Sequence, residues 1–300
     1  MLKGIVPPLV TPLSDRDTLD VAGLERLIEH LTAGGVSGLF ILGTTGEGPS
    51  LSYRLRRELI ERTCSLAKNR VPVLVGITDT SFTESVNLAQ HAADHGCHST
   101  VLAPPYYFPA GQAELIEYLD DLVKELPLPM FLYNMPGLTK VNFEHEVIRA
   151  AMQWVKVIGI KDSSCDMIYF HKLLRLTRER PDWSLLVGPE ELTAEAVLLG
   201  AHGGVNGGAN IHPRLYVELY QAAAAQDLAR VRELHAQVIE LASRIYAVGK
   251  HKSAIIKGIK CSLSLLGICH DAMAEPFHSF RQPERDQIKT HLQALNILPA

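Results

Sequence analysis

Several signals that usually betray a function are missing from this chain. No Gly-x-Gly-x-x-Gly turn follows the first apolar run, and there is no P-loop. Their absence argues against an open, doubly wound nucleotide-binding sheet. Positive charge is not in excess: 29 Lys and Arg stand against 33 Asp and Glu, for a net charge of −4. Neither nucleic acid nor an anionic membrane surface is therefore an expected partner. No stretch approaches the roughly 18–20 apolar residues that cross a bilayer. Met1–Leu13 carries one lysine and a short apolar run broken by Pro7, Pro8 and Pro12. That is not the core of a signal peptide, and the cytoplasm is the expected address. The five cysteines are odd in number and scattered, without a Cys-x-x-Cys pair, so free thiols in a reducing compartment are expected. No low-complexity segment, linker or short-period repeat interrupts the chain.

What is present is an ordinary globular composition, 47% hydrophobic and 21% charged over 300 residues. That length fits two average domains or one α/β barrel with additions. Eight short apolar runs are expected as strands: Gly4–Val10, Ser37–Leu42, Val71–Ile77, His98–Ala103, Pro129–Tyr133, Val157–Lys161, Trp183–Val187 and Gly203–Gly207. Helix patterns separate them. Asp20 caps the first, with Leu24, Leu27, Ile28 and Leu31 on one face, and Gly34-Gly35 end it; Ser52 starts the second. Eight strand–helix units predict an α/β fold, a closed (β/α)8 TIM barrel over residues 1–224, with a C-terminal helical extension over 225–300. After Pro213 everything reads as helical.

The richest stretch is Val157-Ile158-Gly159-Ile160-Lys161-Asp162-Ser163-Ser164. It has the outline of a short buried strand whose last side chain is an amine. By alternation Lys161 shares a face with Gly159 and Val157, while Ile158 and Ile160 point the other way. Of the 12 lysines, this one closes such a run. Poor solvation favours the neutral, nucleophilic amine, whose use is Schiff-base formation with a carbonyl substrate. A strand-end lysine reaching solvent is the plain alternative.

Catalytic groups of a barrel gather at the C-terminal ends of its strands. Tyr133 ends the strand immediately before that of Lys161, within reach of the same small substrate. Its phenol can pass protons to and from the carbinolamine that must lose water. A third group, Gly43-Thr44-Thr45-Gly46-Glu47, places hydroxyls and backbone N–H groups together, as a small carboxylate would require.

Together, Gly43-Thr44-Thr45-Gly46-Glu47, Tyr133-Asn134-Met135-Pro136 and Gly159-Ile160-Lys161-Asp162-Ser163-Ser164 resemble the three signatures of the dihydrodipicolinate synthase / N-acetylneuraminate lyase family, in order and spacing over nearly the whole chain. The resemblance implies a class I aldolase or related lyase on a (β/α)8 barrel, usually a homotetramer. It implies a covalent imine between Lys161 and pyruvate or another small 2-oxo acid, with no metal or organic cofactor. Tyr133 then relays protons, and Thr44 and Thr45, with Gly46 beside them, match the carboxylate-binding and relay positions. Tyr107 matches a tyrosine that enters the neighbouring subunit's relay. Gly188 matches a glycine whose backbone lines the pocket, and Val205 the residue beside the imine.

Two departures bear on the substrate. The synthases carry an arginine shortly after Tyr-Asn-x-Pro that binds the carboxylate of aspartate semialdehyde. Leu138 stands there in Pro136-Gly137-Leu138-Thr139-Lys140 and cannot make that bidentate contact; Lys140 is the alternative cation. Gly188-Pro189-Glu190-Glu191 resembles the acidic pair that holds the polyol tail in sialic acid lyases, and Asn206 is a further candidate for a hydroxylated tail. A charged helix N-terminus is the plain reading of Glu190 and Glu191. The sequence therefore reads as an aldolase or dehydratase of a hydroxylated 2-oxo acid. Dihydrodipicolinate synthesis is the alternative, and a non-catalytic 2-oxo-acid sensor is the alternative of another class. His91 and His95 at i and i+4, with His98 nearby, are accompanied by no H-E-x-x-H motif or carboxylate partner and sit on an outer helix, so no metal is expected. Arg54, Arg56, Arg57 and Arg62 read as a solvated helix face.

Overall fold

The computed structural model describes residues 1–299. Its main sheet has eight parallel strands: β1 Gly4–Ile5, β2 Leu39–Ile41, β3 Val73–Gly76, β4 Ser99–Leu102, β5 Met130–Asn134, β6 Val157–Asp162, β7 Ser184–Val187 and β8 Gly203–Gly204. From β2 to β8 each pairs with the next in sequence, and β1 pairs with β8. The remaining gap, between β1 and β2, is closed by a parallel bridge from Pro8 to Phe40. Hydrogen bonds from Ser37 N to Ile5 O (2.7 Å), Phe40 N to Pro7 O (3.0 Å) and Leu9 N to Phe40 O (2.8 Å) support it. The result is the (β/α)8 barrel with helices around it.

The run expected as a strand over Gly4–Val10 is cut to two residues because Pro7 and Pro8 have no N–H to give the ladder. The last strand is also short. A Cβ on Gly203 would stand 1.9 Å from the carbonyl oxygen of Gly4, so only glycine lets β8 close against β1. Phe40, Leu74, Val101, Phe131, Tyr133, Leu186 and Val205 fill the barrel's inside, while a second cluster packs the sheet against the helices.

The register of β5 on β6 slips once: Met130 faces Val157, but Phe131 faces Gly159. The extra residue reverses the alternation, so Val157 packs outside and Ile158 against the inner cluster. Beyond it the expected pattern resumes. A Cβ on Gly159 would lie 2.5 Å from the Phe131 ring, so that glycine makes room for Phe131 beneath the lysine.

Asp20 and Ser52 cap their helices as expected, accepting from Gly23 N and Leu55 N. A two-stranded hairpin, Leu13–Asp15 with Thr18–Leu19, and a one-turn helix, Pro136–Thr139, were not legible beforehand. The C-terminal part is not continuously helical. After Pro213–Ala224 come helices Leu228–Ile245, Ala254–Leu265 and Gln282–Ala294, with the non-helical segment 266–281 between the last two. Among the described residues, no helix is long and apolar enough to cross a membrane.

Candidate active site

Lys161 and Tyr133 are direct partners across β6 and β5, which sets amine and phenol at one height at the C-terminal end of the barrel. The Lys161 Nζ lies 4.1 Å from the centre of the Tyr133 ring and 5.3 Å from that of Phe40. Both residues are buried, at 6% and 7% exposure. Among the described residues the buried ion pairs are Arg56–Asp79 and Lys260–Glu47, and Lys161 belongs to neither. The Tyr133 hydroxyl and Thr44 Oγ1 are 3.1 Å apart and share a hydrogen bond. Amine, phenol and threonine hydroxyl thus come from three separate strand ends to one place.

Thr44 and half-buried Thr45 lie in the turn after β2. The turn closes on itself through Glu47 N to Thr44 O (3.0 Å) and Gly48 N to Gly43 O (3.2 Å). Among the described residues the backbone N–H groups of Thr44 and Thr45 donate to nothing, as a site for a small anion requires. Gly46 is fixed from outside: Thr11 Oγ1 donates to its carbonyl (2.6 Å), and a Cβ there would stand 2.8 Å from Leu9 O.

A cavity of about 210 Å³ opens beside Thr44 and Tyr133 and is lined mainly by apolar side chains, among them Val101, Ala103, Met135 and Leu138. Tyr106 faces it, whereas Tyr107 is 83% exposed and stands outside this chain's own site. Val205 lies with Lys161 against a smaller space of about 10 Å³. Gly188 donates to Asp162 O (2.7 Å), and any Cβ there would collide with Ser163 Oγ at 1.9 Å.

The structure revises two expectations for a substrate tail. Glu190 is inside the protein: Oε1 accepts from the Tyr216 hydroxyl (2.6 Å), Oε2 from Gly208 N (2.9 Å), and the Tyr246 hydroxyl bridges both. Its carboxylate ties the barrel to the helix Leu228–Ile245 and has nothing left to offer a polyol. Glu191 alone of the pair is exposed. Asn206 is likewise fully buried, its Nδ2 donating to Gly188 O (3.2 Å) and Thr193 Oγ1 (2.9 Å). It braces Gly188, and its Oδ1 is buried without a partner.

Burial raises the Glu190 carboxyl to about 7 from the usual 4.5. A folded-state value above the unfolded one means native binding of the proton is tighter, so this contribution to stability is complete below pH 4.5 and lost as the pH rises through 7. The denaturation free energy, measured by denaturant titration between pH 5 and 8, is therefore expected to fall by an amount on the order of 3 kcal/mol from this group. In Glu190→Gln that part of the slope disappears, whatever the absolute stability.

Three supporting groups escaped the sequence reading. Asn134 and Asp162, the residues after Tyr133 and Lys161, are also register partners, and Asn134 Nδ2 donates to Asp162 Oδ1 (2.8 Å). Asp162 also accepts from Ser164 N (3.2 Å) and Ser164 Oγ (2.9 Å), while burial raises its carboxyl above the ordinary value. Asn134 Oδ1 accepts from Phe143 N (3.0 Å), so the pair locks both strand ends. Their position inside two of the motifs was the available signal. The third also lies inside a motif, but its partners are distant in the chain. Glu47 ends the threonine turn with a left-handed φ of 55°, and its buried carboxylate pairs with Lys260 and accepts from Ala274 N (2.8 Å).

Residues 1–295 match the sequence model of the Dihydrodipicolinate synthetase family. A probable 2-dehydro-3-deoxy-D-pentonate aldolase of Escherichia coli is 31% identical, covering 99% of this chain and 98% of its own. A 4-hydroxy-tetrahydrodipicolinate synthase of Methanoculleus marisnigri is 30% identical over 96% of this chain and 98% of that one. Among solved structures, a dihydrodipicolinate synthase from Bacteroides thetaiotaomicron superposes with a TM-score of 0.96 at 59% identity, covering 98% of each chain. YagE of E. coli, solved in complex with pyruvate, gives 0.93 at 28% identity over 99% of each.

Proposed function

The chain belongs to the dihydrodipicolinate synthetase family of class I, pyruvate-dependent lyases, and from that premise we propose that Lys161 forms the imine and that the carbon–carbon bond broken or made belongs to a hydroxylated 2-oxo acid. The observation that carries the assignment is the register pairing of Lys161 with Tyr133, the amine 4.1 Å from the phenol ring and the phenol on Thr44.

The neutral Lys161 amine adds to C2 of the 2-oxo acid, and the oxygen becomes the hydroxyl of a carbinolamine. Tyr133, relaying through Thr44, protonates that hydroxyl so that it leaves as water and the imine forms. The unpaired N–H groups of Thr44 and Thr45, beside Gly46, hold the substrate carboxylate. In the cleavage direction the relay takes the proton of the C4 hydroxyl, the C3–C4 bond breaks, and the aldehyde departs. The resulting enamine is protonated at C3, and hydrolysis frees pyruvate and Lys161. No metal or organic cofactor takes part in these steps. Gly188 and Val205 shape the wall beside the imine. Tyr107, exposed at the rim, completes the relay of a neighbouring copy in a homotetramer, and the enzyme works in the cytoplasm.

Leu138 favours cleavage or formation of a hydroxylated 2-oxo acid over condensation with aspartate semialdehyde, because it lines the mouth where a carboxylate would need a cation. The second reading, synthesis of 4-hydroxy-tetrahydrodipicolinate, is favoured by the name of the 59% identical structure. Incubation with pyruvate and borohydride is expected to add mass to the peptide containing Lys161 and to no other. Pyruvate release from sialic acid, 2-keto-3-deoxy sugars and 4-hydroxy-2-oxoglutarate, measured beside aspartate semialdehyde condensation, separates the two readings. Faster condensation than any release would reverse their order, and failure to trap any 2-oxo acid would end both.

A further inference from the structure

The helix face that carries His91 and His95 has a partner that the local sequence does not show. We infer that Glu61, His91 and His95 form a surface site for a divalent ion of the zinc class, bridging the neighbouring helices Tyr53–Ala67 and Phe82–Asp94. The two imidazoles stand one helical turn apart, with ring centres 4.3 Å from each other. Across the seam, a single oxygen of Glu61, Oε1, lies 3.3 Å from His91 Nε2 and 3.8 Å from His95 Nε2. All three ligand atoms fall within 4.8 Å of one another. Two donors held about 2.0–2.1 Å from a tetrahedral ion are themselves about 3.4 Å apart, so both measured separations are close to the edges of such a site.

The hydrogen bonding supports this. His95 Nδ1 lies 2.9 Å from the carbonyl oxygen of His91, which can only accept. Nδ1 therefore carries the proton in the neutral ring, and Nε2 turns a bare lone pair toward the Glu61 carboxylate. Two lone-pair-bearing atoms facing each other are bridged by a proton or by a metal ion, and the second imidazole at the same Glu61 oxygen is a donor that a metal ion uses and a single proton does not. An Nδ1–H anchored on a carbonyl is also the support a metal-bound imidazole usually has. His91 Nε2 lies 3.3 Å from Arg57 O, so in the metal-free neutral ring that nitrogen carries the proton; binding the ion gives up this hydrogen bond and moves the proton to Nδ1. His98 takes no part, its Nδ1 accepting from Val73 N at 3.2 Å. Imidazole with one carboxylate selects Zn²⁺, Ni²⁺ or Cu²⁺ over Mg²⁺ and Ca²⁺. Glu61 and His95 side chains are 48% and 35% exposed, so the ion can enter from solvent and keep water in its fourth position.

The test is a calorimetric titration of the tag-free, chelator-stripped full chain with zinc chloride. One equivalent is expected to bind at micromolar affinity and to raise the melting temperature. A variant carrying His91→Ala and His95→Ala should bind at least about 10-fold more weakly and lose the thermal shift, and Glu61→Gln should fall between. Cys64 and Cys97, whose sulfurs are 2.9 Å apart near the same helix pair, are the rival ligands. Absence of saturable binding, retention of it in the histidine variant, or its loss in Cys64→Ser would each overturn the assignment.

Discussion

Lys161→Arg is expected to yield a folded protein in which pyruvate and borohydride add no mass and turnover falls by roughly four orders of magnitude or more, the scale on which loss of a covalent nucleophile acts. Arginine keeps the positive charge but cannot become a neutral amine, so the substitution separates electrostatics from imine chemistry. Lys161→Ala, which relieves any crowding against Phe131 and Leu186 beneath the side chain, should give the same result with an unchanged circular dichroism spectrum. Tyr133→Phe makes the contrast. It keeps the ring beside Nζ and removes the proton relay, so trapping should be slowed rather than abolished and kcat lowered by about 10²–10⁴-fold. If Lys161→Arg still trapped pyruvate at the wild-type rate, another lysine would have to carry the imine.

The second large effect lies where no substrate reaches. Lys260 is wholly buried on the helix Ala254–Leu265, and burial holds its ammonium below the ordinary lysine value, with Glu47 opposing that shift. Its Nζ pairs with Glu47 and donates to Ala272 O (2.6 Å). Removing one member of a buried pair strands the other charge, at a cost of about 3–5 kcal/mol. Lys260→Met should lower the denaturation free energy by that much, and Glu47→Gln added to it should restore a large part. Because Glu47 terminates the turn that carries Thr44 and Thr45, KM for pyruvate should rise in Lys260→Met even where the protein remains folded. An unchanged KM together with a full loss of stability would make the pair a strut of the fold alone.

Much of the architecture was readable because its causes are local. Apolar runs of strand length, Asp20 and Ser52 as caps, and glycines at helix ends depend on residues within a few positions of one another. The mutual placement of Lys161 and Tyr133 was readable for a related reason: consecutive strands of a parallel sheet are neighbours, and both residues end theirs. The failures have equally specific causes. The slip at Met130–Phe131 moved Val157 to the outer layer, since a single inserted residue reverses alternation without changing the composition of the run. The helical pattern expected after Pro213 fails over 266–281, where Ala272 and Ala274 give their backbone to Lys260 and Glu47.

The sequence by itself determined the barrel and the placing of Lys161 beside Tyr133 at its C-terminal end, because alternation and strand order carry side chains to predictable ends. The tertiary structure alone decided which carboxylates were free. Glu190 was spent on Tyr216 and Tyr246, Glu61 met His91 and His95 across a helix seam, and Glu47 found Ala274 at 227 residues' distance. A carboxylate's partner is the group that the folded chain brings beside it, and that choice is made by packing between distant segments rather than by any neighbour in the chain.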